Sequence, residues 1–215
     1  MKGHPYPTYK PSNADWMGEV PTHWDVDRLK WTVDSSKNGV WGDEPDGGQE
    51  DIACIRVADF DRANQTVIAE EPTIRKIRTT DQEGRVLQKG DLLLEKSGGG
   101  EGWPVGFVVE YTHDLPAVCS NFIARMKPSA KVRSRYLRYL HHALYAARVN
   151  VRSIKQTSGI QNLDAGSYFD ELAPFPPLPE QDAIGIFLDR ETAKIDTLIA
   201  EQRTLIERLR EKRTS

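Results

Sequence analysis

The longest unbroken pattern of apolar and polar positions lies at the end of the chain, from Phe175 to Arg213. Ile184, Leu188, Ile195, Leu198, Leu205 and Leu209 recur at spacings of three, four and seven. Phe187, Ile199 and Ile206 widen this stripe, and charged residues fill the opposite side. The spacing predicts a long amphipathic helix. Pro179 suits its first turn, Glu180 and Asp182 suit the positive end of the helix dipole, and Lys212 and Arg213 suit the negative end. At about 1.5 Å per residue such a helix is roughly 50 Å long. The domain before it cannot hide a stripe of that length. A coiled-coil arm that takes a partner helix is therefore expected.

Upstream the pattern is shorter-ranged. Residues 1–24 read as an irregular lead-in, with Pro5, Pro7, Pro11 and Pro21 against regular structure and Tyr6, Tyr9, Trp16 and Trp24 as apolar anchors. Leu29, Trp31 and Val33 alternate with polar residues, which predicts a half-buried strand from Trp24 to Val33. Gly39 to Gly48 is a glycine-rich acidic loop. Strands are expected at Ile52–Val57, more weakly at Val67–Ile68 and Ile74–Ile77, then at Leu92–Leu94, Val105–Val109 and Ala117–Met126. Thr80-Asp81-Gln82-Glu83 fits a capping box and a short helix. Ser134 is placed to cap a helix running to about Val149, with Leu137, Leu140, Leu144 and Ala147 facing inward and Arg138, His141, Tyr145 and Arg148 on another face. Residues 156–166 read as a loop. The expected class is α+β: a mixed domain of several short strands over 1–175, then a helical arm over 176–215.

Composition is that of an ordinary globular chain, 38% hydrophobic and 28% charged over 215 residues. No apolar run reaches membrane-spanning length and no apolar signal core opens the chain, so a cytoplasmic protein is expected. Cys54 and Cys119 sit in apolar strand-like runs and read as buried reduced thiols.

Charge changes the picture. The net charge is −3, yet no acidic residue stands between Asp114 and Asp164. That interval carries Arg125, Lys127, Lys131, Arg133, Arg135, Arg138, Arg148, Arg152 and Lys155. A near-neutral total can hide one basic face suited to phosphate.

Catalytic chemistry is hard to find. Lys96-Ser97 precedes the glycines of Gly98-Gly99-Gly100, the reverse of a phosphate-binding P-loop. Asp91 with Glu95-Lys96 fails the spacing of a metal nuclease, because Glu95 and Lys96 are adjacent. Pro176-Pro177 lacks the acid or amide of a base-flipping methyltransferase loop. No histidine pairs with a cysteine at metal-ligand spacing. No catalytic constellation, metal site or cofactor is therefore expected.

Five stretches, taken in order, resemble the specificity subunits of type I restriction–modification systems. They are Tyr9-Lys10-Pro11-Ser12 with Trp16-Met17-Gly18-Glu19-Val20-Pro21 and Trp24; Gly90 to Glu101 with Pro104-Val105-Gly106; Ser120-Asn121-Phe122-Ile123-Ala124-Arg125; Gln156 to Leu163; and Pro176-Pro177-Leu178-Pro179-Glu180-Gln181 with Ile195-Asp196, Leu198-Ile199 and Leu205-Ile206-Glu207. The resemblance implies a DNA target recognition domain followed by a conserved helical spacer. Members of that family usually carry two such units, whose spacer helices pack antiparallel, and each domain reads half of a split target. The subunit is non-catalytic and places methylation subunits, and through them the restriction subunit, on DNA. This chain carries one unit, so a half-length or truncated subunit is implied. The residues expected to meet DNA are Lys96, Ser97, Arg125, Arg133, Arg135, Lys155, Gln156 and Ser158. Ile184, Leu188, Ile195, Leu198, Leu205 and Leu209 are expected to meet a partner helix in an antiparallel homodimer. Two other classes stay open: a stand-alone DNA-binding adaptor or inhibitor, and a nuclease with an unrecognised site.

Overall fold

The computed structural model describes residues 6–100, 102–156 and 159–214. The lead-in is more regular than its prolines imply. β1 (Tyr9–Pro11) pairs antiparallel with β2 (Glu19–Pro21), and the chain passes directly to β3 (Asp25–Arg28). The strand expected over Trp24–Val33 is interrupted at Leu29–Thr32 by a single 3₁₀ turn. There Thr32 Oγ1 donates to Leu29 O at 2.7 Å, and Leu29 N donates to Glu171 O at 2.7 Å. Burial of Leu29 and Thr32 fixes the turn and breaks the alternation.

β4 (Val33–Asn38), β5 (Asp51–Ile55), β6 (Phe60–Asp61), β7 (Thr66–Val67) and β8 (Thr73–Lys76) follow, then α1 (Thr79–Gln82), a single turn with no side-chain cap. β9 (Leu92–Glu95), β10 (Ser97–Gly98), β11 (Val108–Glu110), β12 (Ala117–Cys119) and β13 (Ile123–Pro128) complete the central part. The apolar run at 117–126 thus makes two strands, split where Ile123 N closes a turn onto Ser120 O at 2.9 Å. α2 (Ser134–Ala146) is shorter than expected and stops before Arg148, which takes a left-handed φ of 57°. β14 (Ile154–Gln156) ends where the expected loop begins, and β15 (Gln161–Leu163) lies within it; α3 (Ala165–Phe169) and β16 (Leu172–Phe175) lead into α4 (Leu178–Thr214).

A six-stranded mixed sheet in the order β4-β13-β9-β11-β7-β6 is the centre of the domain. β9 is flanked on both sides, so all four of its residues are buried. Strand alternation sends Leu92 and Leu94 to the side covered by α2, with Leu137, Leu140 and Leu144, and sends Leu93 to a second cluster with Ile55, Phe107, Val109 and Ile123. A smaller sheet, β12-β5-β8, closes that second side. Cys54 and Cys119 lie there as free buried thiols, and burial pushes them up to about 11 and about 12. His141 is buried rather than set on a charged face; Tyr168 Oη lies 2.8 Å from its Nδ1. Among the described residues no helix is long and apolar enough to cross a membrane.

Candidate nucleic-acid interface

Three of the residues expected to meet DNA come together on one small sheet. β10 pairs antiparallel with β15, and β15 with β14. Asn162 on β15 is opposite Ser97 on one side and Lys155 on the other, while Gln156 is opposite Gln161. Ser97 Oγ donates to Asn162 Oδ1 at 2.7 Å, and Lys155 Nζ reaches Asp164 at 2.6 Å. Gln161 ties the glycine loop down, accepting from Val105 N at 3.2 Å and donating to Gly100 O at 3.5 Å. Glycine is needed at 99: its φ is +59°, and a Cβ there would lie 2.8 Å from Val105 N. Lys96 enters this sheet with its amide on Phe122 O at 2.8 Å, and burial lowers the proton affinity of its ammonium. Ser158 lies outside the described residues. Asn162 belongs with this group, and the alternating pattern alone gave no signal for it.

Arg125 is placed elsewhere and is already occupied. Its Nε donates to Asp91 Oδ2 at 2.6 Å and its Nη1 to Gly84 O at 3.0 Å. Both side chains are largely buried, 11% and 3% exposed. This pair holds β13 against the turn before β9.

Arg133 and Arg135 stand at the start of α2 and face α4. Arg133 Nε reaches Asp182 at 3.2 Å, and Arg135 Nε reaches Asp189 at 3.0 Å. Arg138 adds a 2.7 Å contact to Asp189, and Tyr139 Oη donates to the same carboxylate at 2.7 Å. The acid-free interval therefore does not fold into one bare basic face. Arg125, Arg133, Arg135, Arg138, Arg152 and Lys155 each meet an acid from elsewhere in the chain. Lys127, Lys131 and Arg148 have no such ion pair among the described residues.

The start of α4 is fastened to the domain by Glu180 and Gln181. Glu180 accepts from Tyr6 Oη, His23 Nε2 and Trp24 Nε1 at 2.8, 2.7 and 2.9 Å. Gln181 is buried; its Oε1 accepts from Arg133 N at 2.8 Å, and its Nε2 donates to Lys131 O and Pro176 O at 3.0 and 2.8 Å. Ile184 and Leu188 continue this attachment, lining a cleft with Trp16, Tyr136 and Tyr139. Those two residues are half-buried beside the chain's own domain. The bare part starts later: Ile195, Leu198, Leu205 and Leu209 are 55%, 57%, 50% and 57% exposed.

No protein-family model and no curated protein matches the chain. Solved structures do. The HsdS subunit from Thermoanaerobacter tengcongensis superposes with a TM-score of 0.58 at 20% identity over 90% of this chain and 42% of its own. A chain of the type I R-M system, solved for its complex assembly and conformational transition, gives 0.60 at 18% over 94% and 46%. The type I restriction–modification S subunit from M. genitalium gives 0.53 at 13% over 83% and 41%. The chain spans less than half the length of these structures. Its strand-rich domain and long helix, in that order, have the fold of specificity subunits of type I restriction–modification systems.

Proposed function

We propose that the chain is a non-catalytic, sequence-specific DNA-recognition unit of a type I restriction–modification system. On this reading residues 1–175 read one half of a bipartite target. Residues 176–215 take a partner helix and dock methylation subunits, and through them the restriction subunit. The observation that carries the proposal is the shared order of parts over nine-tenths of the chain, strand-rich domain then long helix. Two features of the chain support it. Ser97 and the adjacent pair Lys155-Gln156, far from it in sequence, share one surface sheet with Asn162. The far part of α4 exposes an apolar stripe that soluble surfaces keep covered.

A second copy of α4 is the simplest cover for that stripe. A two-fold antiparallel pair is self-complementary and would set the two domains at opposite ends. Its DNA target would then be an interrupted palindrome, because operator symmetry mirrors protein symmetry.

Selection from a randomised duplex library tests the reading, combined with purification from the native source. Recovery of a split, symmetric sequence and a methyltransferase-sized partner is expected. Cleavage or methylation of DNA that tracks the purified chain alone, with magnesium and S-adenosylmethionine, would replace the reading with an enzyme.

A further inference from the structure

A cleft lies beside the turn after β12, and no side-chain contact described above uses it. Gly39 shapes it: a Cβ there would collide with the backbone carbonyls of Cys119 and Ser120. Glycine lets the following residues lie against the turn, where Val40 N donates to Cys119 O at 2.8 Å. Trp41 is thereby seated across from Phe122, and the two rings are 38% and 48% exposed. Arg75 fixes Trp41, its Nε donating to Trp41 O at 3.2 Å and its guanidinium 4.7 Å from the ring centre. The cleft that both rings line has a volume of about 430 Å³, and Arg56, Val57, Ala58, Ser120 and Asn121 complete its lining.

Its polar groups are unspent. The Ser120 hydroxyl is enclosed, so the groups open to a ligand are those of Arg56 and Asn121. Arg56 is held from behind by Asp59, with Nε and Nη2 on its carboxylate at 3.2 and 2.8 Å. Its Nη1 has no partner among the described residues. A guanidinium already fixed by a carboxylate has less side-chain freedom to lose on binding. The side-chain amide of Asn121 is exposed and likewise unpartnered among the described residues. The cleft is continuous with the Ser97 sheet, since Phe122 O accepts from Lys96 N and Ser97 N at 2.8 and 3.2 Å.

Aromatic walls, a buttressed arginine and an exposed amide match the major-groove edges of base pairs. Guanine offers two acceptors there, O6 and N7, and arginine is the donor whose geometry fits both. We propose that this cleft reads a G·C base pair, with Arg56 donating to guanine and Asn121 bonding an adjacent base edge. Lys155 on the neighbouring sheet holds a flanking phosphate, which sets register without reading sequence. The inference rests on the DNA-recognition reading above.

The test is duplex selection with the full chain, repeated for Arg56→Ala and Asn121→Ala, with thermal melting to check folding. Arg56→Ala should lose the preference for G at one position and bind the wild-type sequence about tenfold to a hundredfold more weakly. Affinity for unrelated duplex should be unchanged. Asn121→Ala keeps the test open if Arg56→Ala melts early; it should weaken the selected duplex alone. Variants that both select the wild-type sequence at wild-type affinity would overturn the cleft and leave the DNA-recognition reading standing. Equal weakening on every duplex would make Arg56 a phosphate contact and also overturn it. A wild-type chain that binds no duplex would overturn both readings.

Discussion

Trp24 and Glu180, 156 positions apart, are joined by a hydrogen bond of 2.9 Å from the indole Nε1 to carboxylate Oε2. Tyr6 and His23 donate to the same carboxylate. The lead-in is therefore a strap that holds the first turn of the arm. Burial alone would raise the Glu180 pKa, but the bonds from Trp24, His23 and Tyr6 outweigh it and hold the carboxyl below its ordinary value. A depressed carboxyl stabilises the fold fully above its unfolded pKa, about 4.3, and the contribution is lost as pH falls through the folded value. Glu180→Gln should remove that part of the acid sensitivity. Glu180→Ala should cost about 1–3 kcal/mol, the scale of hydrogen bonds to a charged group. Denaturant unfolding followed between pH 7 and pH 3 checks both.

Asp91→Ala should be among the most damaging single changes. It leaves Arg125 buried opposite no charge, at a cost of about 3–5 kcal/mol. Chemical denaturation of this variant should show the loss. Removing both charges in Asp91→Leu with Arg125→Met should recover part of it, since a buried pair replaced by apolar groups is often near neutral.

His141 supplies a second pH dependence. Its complete burial pushes the imidazole down to about 3. The unfolded chain takes up a proton near pH 6.5 while the folded one does not. Stability from this residue is therefore whole above that pH and declines between about 6.5 and about 3. His141→Gln should flatten that part of the stability curve, read from denaturation midpoints at several pH values.

DNA affinity should fall steeply as salt rises, because phosphate contacts release counterions. A slope near zero in log affinity against log salt would sink the DNA reading. Lys155→Ala should weaken all duplexes about equally and lower the slope by about one. Arg133→Ala and Arg135→Ala distinguish two roles. A phosphate contact lowers the slope, whereas the observed pairing with Asp182 and Asp189 predicts a looser arm with an unchanged slope.

Leu198→Asp tests the arm. If the exposed stripe is a dry seam between two copies of α4, a charge there costs several kcal/mol and should dissociate the dimer. Light scattering at micromolar concentration should give twice the chain mass for wild type and the single mass for the variant. Leu188→Asp should instead lower the melting temperature, because Leu188 lines the cleft between arm and domain.

The helix of the arm and the buried strand Leu92–Leu94 were fixed by local sequence. A stripe of period near 3.6 without proline after Pro179, and an apolar run beside a turn, each need only neighbouring residues to be read. The same stripe did not say that Ile184 and Leu188 lie against the domain while Ile195 to Leu209 stay bare. Periodicity defines a face; it does not name what covers it. Nor did the acid-free interval disclose that Arg125, Arg133, Arg135 and Lys155 would each meet a carboxylate. Electrostatic partners are set by distance in space, and folding brought Asp91, Asp182, Asp189 and Asp164 to them. The break at Ser120–Phe122 was hidden inside an apolar run that reads as a single strand. Only the tertiary approach of Gly39 to that turn placed Trp41 beside Phe122 and left the Ser120 hydroxyl buried without a partner among the described residues.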